Sequence, residues 1–271
     1  MMRRPGSLAL AIAVMAAVLL VTAPATAITG GTPDTIHTSV GLVRFTTVDG
    51  RFRCSGTLLA PTVVLTAGHC TEGPATNVYV SFDDALQPDP MAPGITPEEK
   101  AAREAHYITG TAHPDPGWDG QLQFSKQHDQ GVVVLSAPAS TKWPTIVPAP
   151  LPPIGFMDAN QGQLKNETFT LVGYGVDIGD KKALVVVPFR SSTTSYLKNV
   201  GSEVITFQVN EHDSKAGGGS CFGDSGGGVF LDGYVLGDAS YVNSLTCNAT
   251  GSYQRDDTTY SRDFLDAFLD P

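Results

Sequence analysis

The feature that most constrains the fold is a succession of short apolar runs, rich in β-branched residues and bounded by Gly, Pro, Asp or Asn. Such runs are typical of β-strands separated by turns. The clearest span residues 40–45, 57–66, 77–82, 131–135, 169–172, 204–209 and 229–236. Many short strands at even spacing favour an antiparallel sandwich or barrel over alternating β and α units.

Two segments have helical character. Thr96 is followed by Pro97 and, three residues on, by Glu99, the pattern of an N-cap, a first-position proline and a capping box. It predicts a helix continuing through 100–106. Apolar residues at helical spacing predict an amphipathic terminal helix over 261–270.

Five prolines lie between residues 143 and 153, where strand formers are few. This composition predicts a linker over 143–153. The simplest organisation is two β halves joined there, one over about 28–142 and the other over about 154–260.

The first 27 residues have the features of a signal peptide. Two arginines precede an apolar run over 8–21, and Ala25-Thr26-Ala27 supplies a small-residue cleavage site. A retained membrane anchor is the alternative, but the run is short for a span and the cleavage site argues against it. We therefore expect 1–27 to be removed, giving a secreted chain that begins at Ile28.

The net charge limits the expected binding partners, and the cysteine content indicates the redox compartment. The formal net charge is −10, which disfavours nucleic acid and anionic membranes as partners. All four cysteines, Cys54, Cys70, Cys221 and Cys247, lie in the exported part, so their even number predicts disulfides. Three pairings are possible. No Cys-x-x-Cys pair or calcium-loop spacing occurs, so we expect no metal.

The string Gly-Asp-Ser-Gly-Gly over 223–227 marks Ser225 as a candidate nucleophile. Glycines on both sides allow a tight turn that presents the hydroxyl and leaves backbone N–H groups free for an oxyanion. The string also fits the nucleophile elbow of α/β-hydrolases. That fold needs a histidine after the serine, whereas the last histidine here is His212, so this alternative fails.

Two further strings supply partners for Ser225. His69 follows an apolar run within Thr-Ala-Gly-His-Cys, and Asp129 stands just before the run at 131–135. A buried aspartate there would orient an imidazole that deprotonates the serine. Asp115 and Asp119 compete for this role, but neither leads directly into an apolar run.

Taken in order, these strings resemble the chymotrypsin-like serine peptidases of the trypsin family. Further similarities are Ile-Thr-Gly-Gly at 28–31, Cys-Ser-Gly-Thr-Leu at 54–58, His113-Pro114, and Gly-Tyr-Gly at 173–175, where the family has Trp in place of Tyr. The resemblance covers nearly all of 28–271. It implies an all-β peptidase domain of two six-stranded antiparallel Greek-key barrels with a C-terminal helix and a cleft between the barrels.

The resemblance also implies residue roles. Ser225 would be the nucleophile, His69 the general base and then acid, and Asp129 the orienting carboxylate. The N–H groups of Gly223 and Ser225 would form the oxyanion hole. The disulfides would be Cys54–Cys70 and Cys221–Cys247.

Activation and specificity follow from the same resemblance. The amino group of Ile28 would pair with Asp224, and signal-peptide removal would create it without a zymogen step. The family's Arg/Lys-preferring members have Asp at the pocket base, where this chain has Gly219. The other predicted pocket residues are Ser220, Ser240, Tyr241 and Val242, with residues 258–260 as the far wall. An uncharged pocket favours a non-basic P1 residue, unless a one-residue slip brings in Asp256 or Asp257.

Two alternatives from other classes stay open at this point. One is a secreted binding protein that kept the fold and lost activity, although such proteins usually lose a triad member. The other is an esterase that uses the same three residues. For the peptidase we expect protein or peptide substrates, no cofactor and a monomer.

Overall fold

A computed structural model describes residues 28–72, 76–121, 128–178 and 184–269. The predicted signal peptide lies outside the described residues. The strands are β1 (Thr32–Pro33), β2 (Val40–Thr47), β3 (Gly50–Ala60), β4 (Val63–Thr66), β5 (Thr76–Ser81), β6 (Ile108–Pro114), β7 (Gly131–Leu135), β8 (Phe169–Gly173), β9 (Val176–Ile178), β10 (Leu184–Val186), β11 (Ser191–Ser195), β12 (Leu197–Val200), β13 (Val204–Gln208), β14 (Gly228–Leu231), β15 (Tyr234–Val242) and β16 (Thr250–Arg255). The helices are α1 (Pro97–Glu104), α2 (Phe156–Leu164) and α3 (Thr259–Leu269), with short 3-10 turns at Gly68–Cys70 and Ala139–Thr141.

The strands from β2 to β7 form a closed antiparallel barrel in the order β2-β3-β4-β7-β6-β5. Closure comes from β2, which pairs with β3 on one side and with β5 on the other. Apolar side chains from all six strands fill the interior, among them Val43, Leu58, Val64, Val80 and Val133. This half therefore has an ordinary hydrophobic core of its own.

The second half is an eight-stranded antiparallel sheet in the order β1-β11-β8-β14-β15-β16-β13-β12. Only Tyr196 separates β11 from β12, so one bent segment pairs with β8 at one end and with β13 at the other. The sheet curls because this segment brings its two ends together, while β1 adds to the edge at β11. The predicted all-β architecture with a terminal helix is confirmed, with a closed six-stranded barrel in the first half and a curled half-barrel in the second.

Both predicted helices are present. The Thr96 hydroxyl accepts from the Glu99 N–H at 3.1 Å, and the Glu99 carboxylate accepts from the Thr96 N–H at 2.8 Å, which completes the capping box of α1. That helix ends at Glu104, two residues before the predicted end. Leu265 of α3 packs against Val63, Leu65 and Val132 of the first barrel.

Two runs predicted as single strands are hairpins. The run over 57–66 turns at residues 61–62, between β3 and β4, and the run over 229–236 turns at Asp232-Gly233, between β14 and β15. Asp232 and Gly233 have φ values of 51° and 84°, as a tight hairpin turn requires. Helix α2 was not predicted, because its sequence has little amphipathic pattern.

The two halves meet across an apolar interface. Val40 and Leu42 of the first barrel pack with Val172, Tyr174 and Phe230 of the second half. The predicted linker touches both halves, since its backbone bonds to β3 and to β15 through the Ala149 N–H and the Pro150 carbonyl. Among the described residues, no helix is long and apolar enough to cross a membrane.

Candidate active site

His69 and Asp129 form the centre of the site. His69 lies in the 3-10 turn after β4, and its Nδ1 is 2.9 Å from Asp129 Oδ2. The His69 backbone N–H also donates to Asp129 Oδ1 at 2.8 Å. Two bonds from one residue to one carboxylate fix both the position and the tilt of the imidazole, leaving Nε2 to face outward.

Asp129 is fully buried yet well supplied with hydrogen-bond donors. The Ser240 hydroxyl donates to its Oδ2 at 2.5 Å, in addition to the bonds from His69. Burial raises the pKa of Asp129, but the His69 bond and charge and the Ser240 bond outweigh it and hold that pKa below its usual value. Burial lowers the pKa of His69, yet its bond to Asp129 and the charges of Asp129 and Glu72 raise it overall.

Ser225 occupies a turn that needs glycine on both sides. Gly223 and Gly226 have φ values of 94° and 79°, which side chains rarely adopt. A Cβ on Gly226 would overlap the Thr66 hydroxyl of the first barrel. The turn is anchored because the Ser225 carbonyl accepts from the Ser55 N–H at 2.8 Å.

The backbone amides of Gly223 and Ser225 are available to a ligand. Among the described residues, neither N–H has a hydrogen-bond acceptor within the protein. Two such free donors beside a nucleophile are what an oxyanion hole requires.

Two cavities meet at His69 and Ser225. One, of about 390 Å³, is lined by the predicted pocket residues Ser220, Ser240, Tyr241 and Val242. The other, of about 930 Å³, extends over the turn between β2 and β3 and is lined by Phe52 and Arg53, among others. The site is therefore a groove with one recess on each side of the candidate nucleophile.

Gly219 does not line the smaller cavity. It is buried behind the wall, where a Cβ would overlap Val209. Val209 is fully buried and also lies close to Gly251, at 2.8 Å from where a Cβ would stand. The apolar Val209 thus lies against Gly219 and Gly251 behind the cavity, a role that no sequence motif marks.

The carboxylates considered as alternatives lie elsewhere. Asp256 accepts from the Gln130 amide at 2.8 Å, and Asp257 pairs with Arg255, so neither lines the smaller cavity. Asp115 accepts from the Gly117 N–H and the Tyr260 hydroxyl, both at 2.7 Å, whereas Asp119 is exposed at the cleft edge. Asp129 is the aspartate that contacts His69.

The start of the predicted mature chain is held inside the second half. Ile28 is 1% exposed, and Thr29 exchanges two backbone bonds of 3.0 Å with Gly219. Asp224 is equally buried and accepts from the N–H groups of Gly175 and Cys221 at 2.7 and 2.8 Å. Burial raises the pKa of Asp224 to about 7 against these bonds.

Arg53 is a charged neighbour of this region that the sequence analysis missed. Its Nη2 donates to the Gly175 carbonyl at 3.2 Å, and its Nε lies 3.2 Å from where a Cβ on Gly223 would stand. The guanidinium charge works against the rise in the pKa of Asp224. Arg53 thus braces the turn that carries the two free amides.

A second missed group lies behind Asp129. Asp238 is fully buried on β15, and neither of its oxygens has a hydrogen-bond partner in good geometry among the described residues. Burial and the neighbouring charges of Asp256 and Asp129 raise the pKa of Asp238 well above its usual value. The surroundings of Asp238 therefore favour its protonated form, whereas those of Asp129 favour the ionised form.

The predicted disulfides are both formed. Cys54–Cys70 joins β3 to the turn that carries His69, and Cys221–Cys247 joins the Ser225 loop to the β15–β16 loop, with Cα separations of 6.3 and 5.3 Å. The described residues contain one His/Cys group of metal-binding size, Cys54, His69 and Cys70. Its sulfurs are already bonded to each other, so that group does not offer a thiolate to a metal.

Comparison with known protein families agrees with this geometry. The family model described as trypsin matches residues 28–260. The chain belongs to the trypsin family. No curated protein sequence shows significant similarity to this trypsin-family member.

Solved structures show the same fold at low sequence identity. An HL collagenase has a TM-score of 0.64 and 18% identity, over 92% of this chain and 98% of its own. A scabies mite inactivated protease paralogue has a TM-score of 0.65 and 15% identity, over 89% and 97%. Human heparin binding protein has a TM-score of 0.62 and 17% identity, over 90% and 97%. These likenesses establish the chymotrypsin-like fold of this trypsin-family chain.

Proposed function

We propose that this chain is a secreted serine endopeptidase in which Ser225, His69 and Asp129 form the catalytic triad. The observation that carries the proposal is the imidazole of His69, fixed by two bonds to a buried, ionised Asp129 and bordering the same groove as Ser225. Its substrates are proteins or peptides, and it works as a monomer without metal or cofactor.

In the proposed reaction, the Ser225 hydroxyl attacks the scissile carbonyl while His69 Nε2 takes its proton. The N–H groups of Gly223 and Ser225 stabilise the oxyanion, each lowering the barrier by about 3 kcal/mol. His69 then gives the proton to the leaving amine, and a water activated by His69 hydrolyses the acyl-enzyme. Asp129 stays ionised throughout, holding the tautomer and stabilising the imidazolium.

Maturation follows from the position of Ile28. Removal of residues 1–27 frees its amino group, which pairs with Asp224 and stabilises the turn that carries the oxyanion donors. The burial of Ile28 and the backbone bonds of Thr29 to Gly219 support this proposal.

For the P1 residue we propose an uncharged, small or medium-sized side chain. Ser220, Ser240 and Val242 line the smaller cavity, and Val209 closes the space behind it. Val209→Ala should deepen the recess and raise the kcat/KM of a Phe P1 substrate relative to an Ala one about tenfold. Paired fluorogenic peptides that differ only at P1 measure the ratio. An unchanged ratio would show that Val209 does not limit the pocket.

The decisive experiment is mass-spectrometric cleavage profiling of a diverse peptide mixture. It compares the mature protein with Ser225→Ala and with Ser214→Ala, a matched control at an exposed serine. Cleavage that is lost only in Ser225→Ala supports the peptidase and gives the P1 preference directly. No cleavage by a correctly processed protein would contradict it. Rapid turnover of esters would then favour an esterase, and inertness toward both would favour a binding protein that kept the fold.

A further inference from the structure

Glu72 and Trp118 form a bridge above His69. The Trp118 indole N–H donates a short hydrogen bond to Glu72 Oε1, across 46 residues of sequence. The Trp118 ring lies beside the imidazole, with centroids 6.4 Å apart and planes tilted by 52°. The carboxylate of Glu72 is thereby held beside the groove that His69 also lines.

The bridge is rigidly supported at both ends. Glu72 stands two residues after Cys70, whose disulfide anchors the turn that carries His69. The backbone N–H of Trp118 donates to the Asp115 carbonyl at 3.0 Å. The Asp115 carboxylate in turn accepts a hydrogen bond from the Tyr260 hydroxyl of α3. A flexible surface pair would not have both partners tied to the barrel in this way.

The bridge borders both recesses of the groove. Glu72 and Trp118 line both cavities, as do His69 and Ser225. A substrate bound at Ser225 would therefore lie in the same groove as the Glu72 carboxylate.

Few charges face His69 besides Asp129 and Glu72. Asp115 and Asp119 line the larger cavity farther out, together with Asp49 and the cation Arg53. Asp115 is turned toward Tyr260, while Asp49 and Asp119 are exposed and screened by water and salt. Glu72 is the second carboxylate whose charge acts on the imidazole, after that of Asp129.

We propose that Glu72, held by Trp118, is a positioning residue that acts through His69 by stabilising the imidazolium formed when His69 takes the serine proton. This role rests on the proposed function, because it needs His69 as the base. It gives the site two carboxylates in different settings. Asp129 is buried and fixes the ring, whereas Glu72 lies in the groove and adds charge.

The test is an NMR titration of the His69 imidazole in a Ser225→Ala background, which needs no catalytic activity. Glu72→Gln keeps an oxygen that accepts from Trp118 but removes the charge, so the His69 midpoint should move to lower pH. Trp118→Phe should move it in the same direction by less, because Glu72 stays charged but is no longer held. Glu98→Gln, an equal charge change on the exposed face of α1, should leave it unchanged.

With Ser225 present, the acid limb of the pH profile of kcat/KM should shift to lower pH in Glu72→Gln. An unmoved or raised His69 midpoint in that variant would overturn the inference, even if the enzyme is active. Inactivity of the mature wild-type protein would overturn the proposed function, and the titration would still decide the role of Glu72.

Discussion

Asp129 and Asp238 are two carboxyl groups with the same burial and opposite shifts of the pKa. Both are fully buried beside the groove, one on the first barrel and the other on the second half. Asp129 accepts from the His69 amide, the His69 ring and the Ser240 hydroxyl, and its pKa is lowered. Among the described residues Asp238 has no well-formed bond, it has two acidic neighbours, and its pKa is raised. Hydrogen-bond donors and neighbouring charges, rather than depth, set the direction of each pKa shift.

The largest effect should come from removing the ionised acid. Asp129→Asn presents an amide to His69 Nδ1 and stabilises the wrong tautomer, so kcat should fall by about 10⁴-fold while the fold is kept. Steady-state kinetics on a peptide identified by the cleavage profiling measure it. Asp232→Asn, at a hairpin turn where Asn is equally suited to the positive φ, is the matched control. Near-normal activity of Asp129→Asn would contradict the assignment of Asp129 as the carboxylate of the triad.

A smaller effect should come from the third buried acid, Asp224, and the proposed amino group of Ile28. Because the pKa of Asp224 in the fold is about 7, above that of an unfolded chain, its contribution to stability is lost as pH rises through 7. The ammonium group of Ile28 would keep Asp224 ionised and prevent this loss of stability. A chain that retains Ala27 should therefore be less stable at pH 8 than the chain starting at Ile28, by about 3 kcal/mol, and nearly equal at pH 5.

Urea unfolding of the two chains at both pH values gives the difference. Asp224→Asn in the chain that retains Ala27 should weaken the pH dependence of its stability between 5 and 8, leaving the contributions of His69 and Asp238. Equal stability and equal activity of both chains at pH 8 would show that Ile28 and Asp224 do not pair.

The smallest effect should come from Asp238. The pKa of Asp238 is raised in the fold, so its contribution to stability is full in acid and falls as pH rises toward the folded value. Asp238→Asn cannot ionise, and its free energy of unfolding should increase relative to the wild type as pH rises from 4 to 8. Thermal melts across this range test it against Asp49→Asn, an equal change at an exposed turn. A difference independent of pH would show that Asp238 is ionised in the fold.

Contacts between residues that lie in recognisable sequence motifs were predictable. The motifs around His69 and Asp129, together with the family resemblance, predicted that these two residues meet, and Thr96 with Glu99 sufficed for the start of α1. The pairing of the cysteines came from family resemblance, and the structure confirms it. The Asp232-Gly233 turn was visible as a string, but the apolar residues around it led to one long strand being predicted.

Contacts between distant segments that no sequence motif marks could not be predicted. Ser240 reaches Asp129 across 111 residues, and Trp118 reaches Glu72 across 46, with no local pattern to mark either pair. The placement of Asp238 depends on the curl of the second sheet, which a strand pattern does not specify. The Ser240–Asp129 bond arises from the docking of the two halves, whereas the Trp118–Glu72 bond joins two loops of the first half.

Each disulfide begins and ends within its own half of the molecule, so the backbone alone connects the halves covalently, through residues 34–39 between β1 and β2 and through the segment around residues 143–153. His69 belongs to one half and Ser225 to the other, and the apolar interface keeps them in register. The two halves therefore pack against each other much as the subunits of a heterodimer do. Its two halves, produced as separate polypeptides, are natural candidates for a complementation assay in which activity reports their association.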